Sequence, residues 1–222
     1  MSLPGLLSTQ VEKLLLWHDA QKATLTNKGG VNLNYPWVHT KIRDEDLQPT
    51  EKVEVPNTLP GSAWNQEFVK KFPDIVEHLN CLPLRFVSKI ILLETTKVCL
   101  THIDLSKSWC DDVTMEPWSY RMTLRNAVGP GFFVQPIPKA EWGSGPRTSK
   151  YSPYPKQHFK AEVGHWWVLN QWCCQHGADW QEGDQKVLIS VQGTPSEEHR
   201  QVLNRSTLLP ALIHPDVEDE TH

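Results

Sequence analysis

His102-Ile103-Asp104 closes a stretch of alternating residues, Lys97-Val-Cys-Leu-Thr-His-Ile103, and its spacing has chemical meaning. Side chains on an extended chain repeat every second residue, so Val98, Leu100, His102 and Asp104 share one face. Imidazole and carboxylate then project together, which is half of a metal site. Two histidines and one carboxylate set facially around an ion, with positions left open, form the ligand set of non-haem Fe(II) centres. His176 is a candidate for the second histidine. Ten residues beyond it stands Lys186, inside the alternating segment Asp184–Val191. Lys186 and Ser190 share one face there, and Val187, Ile189 and Val191 the other. A cation and a hydroxyl on one face can seat a carboxylate.

Other readings of these residues stay open. His165 is a rival for the second histidine, although Gln175, ten positions on, carries no charge. Cys173-Cys174-x-His176 invites zinc, but structural zinc sites pair two cysteine or histidine couples, and no second couple accompanies this one. A His-x-Asp at a strand end is also, more plainly, a polar terminus facing water.

These side chains need elements to hold them. Thr9-x-x-Glu12 is a capping box before helically spaced leucines, which predicts a helix over 9–20. Residues 27–62 read as irregular connections with short strands. A helical region follows from Gln66 to Leu79, restarted by Pro73 at a first-turn position. From Leu84 the pattern changes to β-branched alternation: strands are expected over 84–94, 97–103, 118–128, 131–137, 164–170 and 185–192. The proline-rich segment 138–160, with Trp142 and two tyrosines, reads as a lid or substrate loop. Thr194-Pro195-x-Glu197 predicts a closing helix over 195–204. Helices followed by consecutive strands, without βαβ alternation, give a mainly β chain: a β-sandwich or jelly-roll with helices packed outside. We expect one domain, with a helical and irregular part over 1–83, a β core over 84–193, and a helix and acidic tail over 194–222.

Composition narrows the function classes. The 222 residues carry 22 Lys+Arg against 26 Asp+Glu, a net charge of −4, where a phosphate-backbone binder shows a basic surplus. No run of about 18 apolar residues suggests a membrane span, and the first residues lack a signal peptide's basic start. Five cysteines without framework spacing fit a reduced, cytoplasmic compartment. Tryptophan is in excess, with 10 residues, seven of them between Trp109 and Trp180. Trp109, Trp118, Trp142, Trp172 and Trp180 are expected to wall a dry pocket, while Trp166 and Trp167 fill the core.

His-x-Asp, a distal histidine and a basic residue ten positions later in a closing strand resemble the Fe(II)/2-oxoglutarate-dependent oxygenases. More narrowly, residues 84–193 resemble the aspartyl/asparaginyl β-hydroxylase family, with Tyr120-Arg121-Met-Thr-Leu124 standing where that family has Leu-Arg-x-His-Leu. The resemblance implies a cupin-like double-stranded β-helix. It implies Fe(II) on His102, Asp104 and His176, and 2-oxoglutarate held by Lys186 with Ser190 or Arg121. Arg125, Trp109, Trp118 and Trp172 would contact substrate. The implied reaction is hydroxylation of a C–H bond in an amino acid or amino-acid-derived small molecule, using O2 and yielding succinate. Thr123 replaces the family's histidine, and Lys186 replaces its arginine, keeping the charge without the bidentate fork. Two other classes remain: a non-catalytic, tryptophan-rich binding module, and a cupin metalloenzyme without an oxoacid.

Overall fold

The computed structural model describes residues 3–27, 37–41, 64–95, 99–103, 118–126, 128–129, 131–142, 147–148, 152–170, 173–179 and 181–205. Helix α1 (Ser8–Asn27) precedes strand β1 (Trp37–Lys41), and helices α2 (Gln66–Lys71) and α3 (Pro73–Asn80) follow. Strands β2 (Leu84–Thr95), β3 (Cys99–Ile103), β4 (Trp118–Arg125), β5 (Phe132–Pro136), β6 (Arg147–Thr148), β7 (Gln157–Phe159), β8 (Trp166–Asn170), β9 (Cys174–Ala178) and β10 (Lys186–Pro195) come next, and helix α4 (His199–Arg205) closes the described chain.

The strands form two antiparallel sheets. The larger runs β1-β2-β10-β4-β8 and the smaller β6-β3-β9-β5-β7. From β2 to β5 the chain crosses sheets at every strand, and it does so again from β7 to β10. That alternation makes the molecule a jelly-roll, as its mainly β pattern predicts.

The outer face of the larger sheet carries the main core. Val187, Ile189 and Val191 of β10, and Tyr120, Met122 and Leu124 of β4, meet Leu14, Trp17, Phe68, Phe72, Ile75 and Leu79 of the helices and the joint between α2 and α3. Trp17 stands edge-on to Phe68 and Phe72, with ring centroids 5.2 and 5.8 Å away. A smaller cluster of Phe132, Ala178 and Leu188 fills part of the space between the sheets. All ten residues of β10 are buried, because helices cover one face and the second sheet the other.

Local signals explain most boundaries. Helix α2 starts where Asn65 accepts the Phe68 N–H (3.0 Å), and α3 restarts at Pro73 as expected. Helix α1 differs from its predicted bounds. It begins at Ser8 because Gln10, not Glu12, reaches back to cap the Leu7 N–H at 2.9 Å. Strand β10 also runs further than predicted: Thr194 and Pro195 pair with Phe86 and Leu84, so α4 starts only at His199. A register shift at Gln192/Gly193 accommodates this, and a Cβ at Gly193 would run into the Phe86 carbonyl oxygen. Among the described residues no helix is long and apolar enough to cross a membrane.

Candidate functional site

The residues between the sheets lie in two facing rows. Across the smaller sheet, register places Gln157, Val134, His176 and His102 side by side. Across the larger sheet the matching row is Trp167, Arg121 and Ser190. The rows touch. Arg121 Nη2 donates to His176 Nε2 at 2.8 Å.

Strands β3 and β9 bring His102 directly opposite His176, with ring centroids 4.3 Å apart and planes at 53°. His176 is buried and His102 half-buried. Strand β9 was not foreseen as a separate strand, yet it delivers the histidine the spacing singled out. Asp104, one residue past the end of β3, lies outside the described residues, as do Trp109 and Trp172.

Arg121 is 3% exposed. Its Nε donates to Ser119 Oγ at 3.1 Å, and its guanidinium carbon lies 5.5 Å from the centre of the Trp167 ring. That is cation–π range. Trp167 is fixed in turn by donating its indole N–H to Thr123 Oγ1 at 3.1 Å. Thr123 thus orients the tryptophan under the arginine. Ser190, cross-strand neighbour of Arg121, has a buried Oγ without a hydrogen-bond partner. Gln157 Oε1 is likewise buried without one. Ser119, Trp167 and Gln157 were missed as site residues, although the two-residue period already places Ser119 beside Arg121.

Lys186 does not join this group. Its ammonium meets Asp184 Oδ2 at 3.0 Å and also donates to the Asp179 carbonyl, with both ion-pair side chains fully buried. Four residues of extended strand, roughly 13 Å, separate it from Ser190 along β10. Asp184 also accepts the backbone N–H groups of Val128, Gly129 and Gln181. Burial alone would raise its carboxyl, but the bonds from Lys186 and the three amides outweigh that and hold it at about 2. The pair ties the turn before β10 to the turn after β4, so the Lys186 charge is already matched.

Two expected substrate contacts point elsewhere. The register shift between Val187 and Leu188 moves Arg125 out of line with Arg121. Arg125 bonds Gln185 Oε1 (2.9 Å) and Asp19 of α1 (3.4 Å). Trp118 stacks edge-on against His199 of α4, centroids 4.6 Å apart. It lies three residues from Arg121, hence on the opposite face of β4. The rival His165 sits in the exposed turn before β8, its Nδ1 3.2 Å from the Val163 carbonyl. Cys173 and Cys174 are free thiols with sulfurs 3.7 Å apart.

Among the described residues, one trio of metal-capable side chains falls within 4.8 Å: His18, Asp19 and Glu94. It lies outside the jelly-roll, between α1 and β2. His18 Nε2 and Glu94 Oε2 are 3.0 Å apart, and Asp19 is paired with Arg125. It therefore reads as a tie between helix and sheet.

No family model and no curated protein matches the chain. Among solved structures, it is similar to an oxidoreductase of the 2OG-Fe(II) oxygenase family from Burkholderia pseudomallei. That likeness has 12% identity and a TM-score of 0.38, covering 72% of this chain and 69% of that one. It is also similar to vicilin from Corylus avellana (hazelnut) at 13% identity and a TM-score of 0.30. There the match covers 54% of this chain but 26% of the vicilin, so the chain spans about a quarter of that protein's length. Likenesses at this level assign no family.

Proposed function

We propose that the chain is an Fe(II)- and 2-oxoglutarate-dependent oxygenase acting on an amino acid or an amino-acid-derived small molecule. One observation carries the reading: His102 and His176 stand side by side between the sheets, with Arg121 reaching them from the opposite sheet. The donor chemistry fits a divalent ion. Two imidazoles meet at one level, and Asp104 follows His102 at the spacing that supplies a carboxylate. Bound there, Fe(II) supplies the O2 activation that couples decarboxylation of 2-oxoglutarate to hydroxylation of a C–H bond.

The chain's own residues supply position and dryness. Arg121 and Ser190 replace Lys186 as the best-placed carboxylate seat, since a buried guanidinium there stands beside a buried hydroxyl without a hydrogen-bond partner. Trp167 and Phe132 wall the space and limit water. Gln157 Oε1 offers an acceptor to an N–H of the substrate, which suits an amino acid derivative. A second reading, a metalloenzyme of the same fold without an oxoacid, is favoured by the commitment of Lys186 to Asp184.

Succinate release tests both. Wild-type protein with Fe(II) is expected to convert 2-oxoglutarate to succinate, faster with one member of an amino acid panel, and His176→Ala to abolish the conversion. Iron-dependent turnover that leaves 2-oxoglutarate untouched would select the second reading. Binding of ligand without any turnover would select a binding module.

A further inference from the structure

A guanidinium has five N–H donors, no acceptor and no accessible neutral form. In the 2.8 Å contact between Arg121 and His176, the arginine therefore donates and the Nε2 lone pair accepts. A metal ion taken through Nε2 needs that same lone pair, and it would bring a second cation against the guanidinium. At this atom the hydrogen bond and the coordination bond exclude each other.

The guanidinium has an alternative place to bond. Ser190 is the register neighbour of Arg121 across β4 and β10, and its buried Oγ has no partner. Ser119 Oγ accepts from Arg121 Nε at 3.1 Å, so the bond to His176 is made by an outer nitrogen, on the part of the guanidinium that Ser119 does not hold. A carboxylate lodged between Arg121 and Ser190 would satisfy the serine and form charge-assisted bonds to the fork, stronger than the neutral imidazole provides.

We infer that Arg121 is a guard coupling two ligands: a carboxylate anion draws the guanidinium off His176 Nε2 and so opens that nitrogen to the metal. This rests on the reading of His102 and His176 as a metal centre. The guard makes anion and metal bind with positive cooperativity, and linkage requires each to tighten the other by the same factor. It also lowers metal affinity while no oxoacid is present, keeping a redox-active ion from settling in an unfilled site.

Mn(II) titration of the whole chain, followed by calorimetry with and without saturating succinate, tests the guard. Succinate lacks the oxo group that would let it chelate the ion as 2-oxoglutarate does. In wild type, succinate is expected to tighten Mn(II) about tenfold, inside the 5–150-fold range usual for such couplings. Arg121→Met is expected to bind Mn(II) more tightly than wild type without succinate and to ignore succinate. Arg121→Lys, which keeps charge without the fork, should fall between. The wild-type comparison needs no variant and stands even if Arg121→Met misfolds. Mn(II) binding lost in a His102→Ala/His176→Ala double variant, yet indifferent to succinate and to Arg121→Met, would overturn the guard alone. Wild-type binding no different from that double variant would overturn the metal centre and the guard together.

Discussion

The two faces of β10 divide the labour of this molecule. Val187, Ile189 and Val191 press outward into the helices, in a core of Trp17, Phe68 and Phe72 whose rings meet edge to edge or tilted. Facing inward, the same strand carries Leu188 and Ser190, and Ser190 has a buried hydroxyl without a partner beside a buried arginine. Both faces are buried, but Val187, Ile189 and Val191 carry no polar side-chain atom to satisfy, and Ser190 does. An unpaired buried hydroxyl costs free energy, and this one lies where the proposed carboxylate would bind. The larger hydrophobic cluster lies outside the jelly-roll and the proposed site within it.

Substitutions on the two faces should therefore separate folding from binding. Phe68→Ala, in the outer core, is expected to lower stability by about 3–5 kcal/mol in urea unfolding. Metal affinity of the folded fraction should not change. If it fell in parallel, the two faces would be coupled.

Asp184→Asn should cost a similar amount, about 3–5 kcal/mol, because it leaves the Lys186 ammonium buried without its counter-ion. Adding Lys186→Met to Asp184→Asn should recover part of the loss, because the ammonium is gone while the asparagine oxygen still accepts from the turn amides. In wild type this carboxyl sits at about 2, below an unfolded value near 3.9. The unfolded chain therefore takes the proton first. The contribution is complete above pH ~4 and is lost as pH falls through about 2.

His199 gives a second pH dependence, at higher pH, on the outer face, where it is hydrogen-bonded to Tyr120. Burial holds its imidazole down to about 4, against ~6.5 when unfolded. Protons again bind the unfolded chain first, so stability should be full above pH ~6.5 and fall by roughly 3 kcal/mol toward pH 4. His199→Phe should flatten that part of the profile, as read from urea midpoints across pH.

The smallest effect on stability is expected at Ser190. Ser190→Ala removes a buried hydroxyl that bonds nothing, so stability should shift by less than about 1 kcal/mol in either direction. Succinate binding in the presence of Mn(II) should nevertheless weaken. A large loss of stability would place Ser190 among the folding residues and dissolve the contrast between the faces.

The parts legible in the sequence were those governed by period. Strands β2, β3, β4, β5, β8 and β10 were legible, and His102, Arg121 and Ser190 took their faces from the two-residue period of β3, β4 and β10. Strand β9 was illegible because Cys174-Gln-His-Gly-Ala has no β-branched residue and no apolar alternation. The bulge at Leu124 cannot be read from spacing, and it takes Arg125 off the face that simple alternation gives it. Trp118 shows the opposite failure: simple counting from Arg121 already puts it on the outer face, against His199. The Lys186–Asp184 pair lay in plain sight two residues apart, but only burial turns such neighbours into a committed ion pair.

Anaerobic addition of Fe(II) and 2-oxoglutarate to the metal-free protein probes the proposed iron centre without a substrate. Wild type is expected to develop a weak visible charge-transfer band that is absent from both His102→Ala and His176→Ala. No band in wild type, or a band that survives His176→Ala, would contradict that centre.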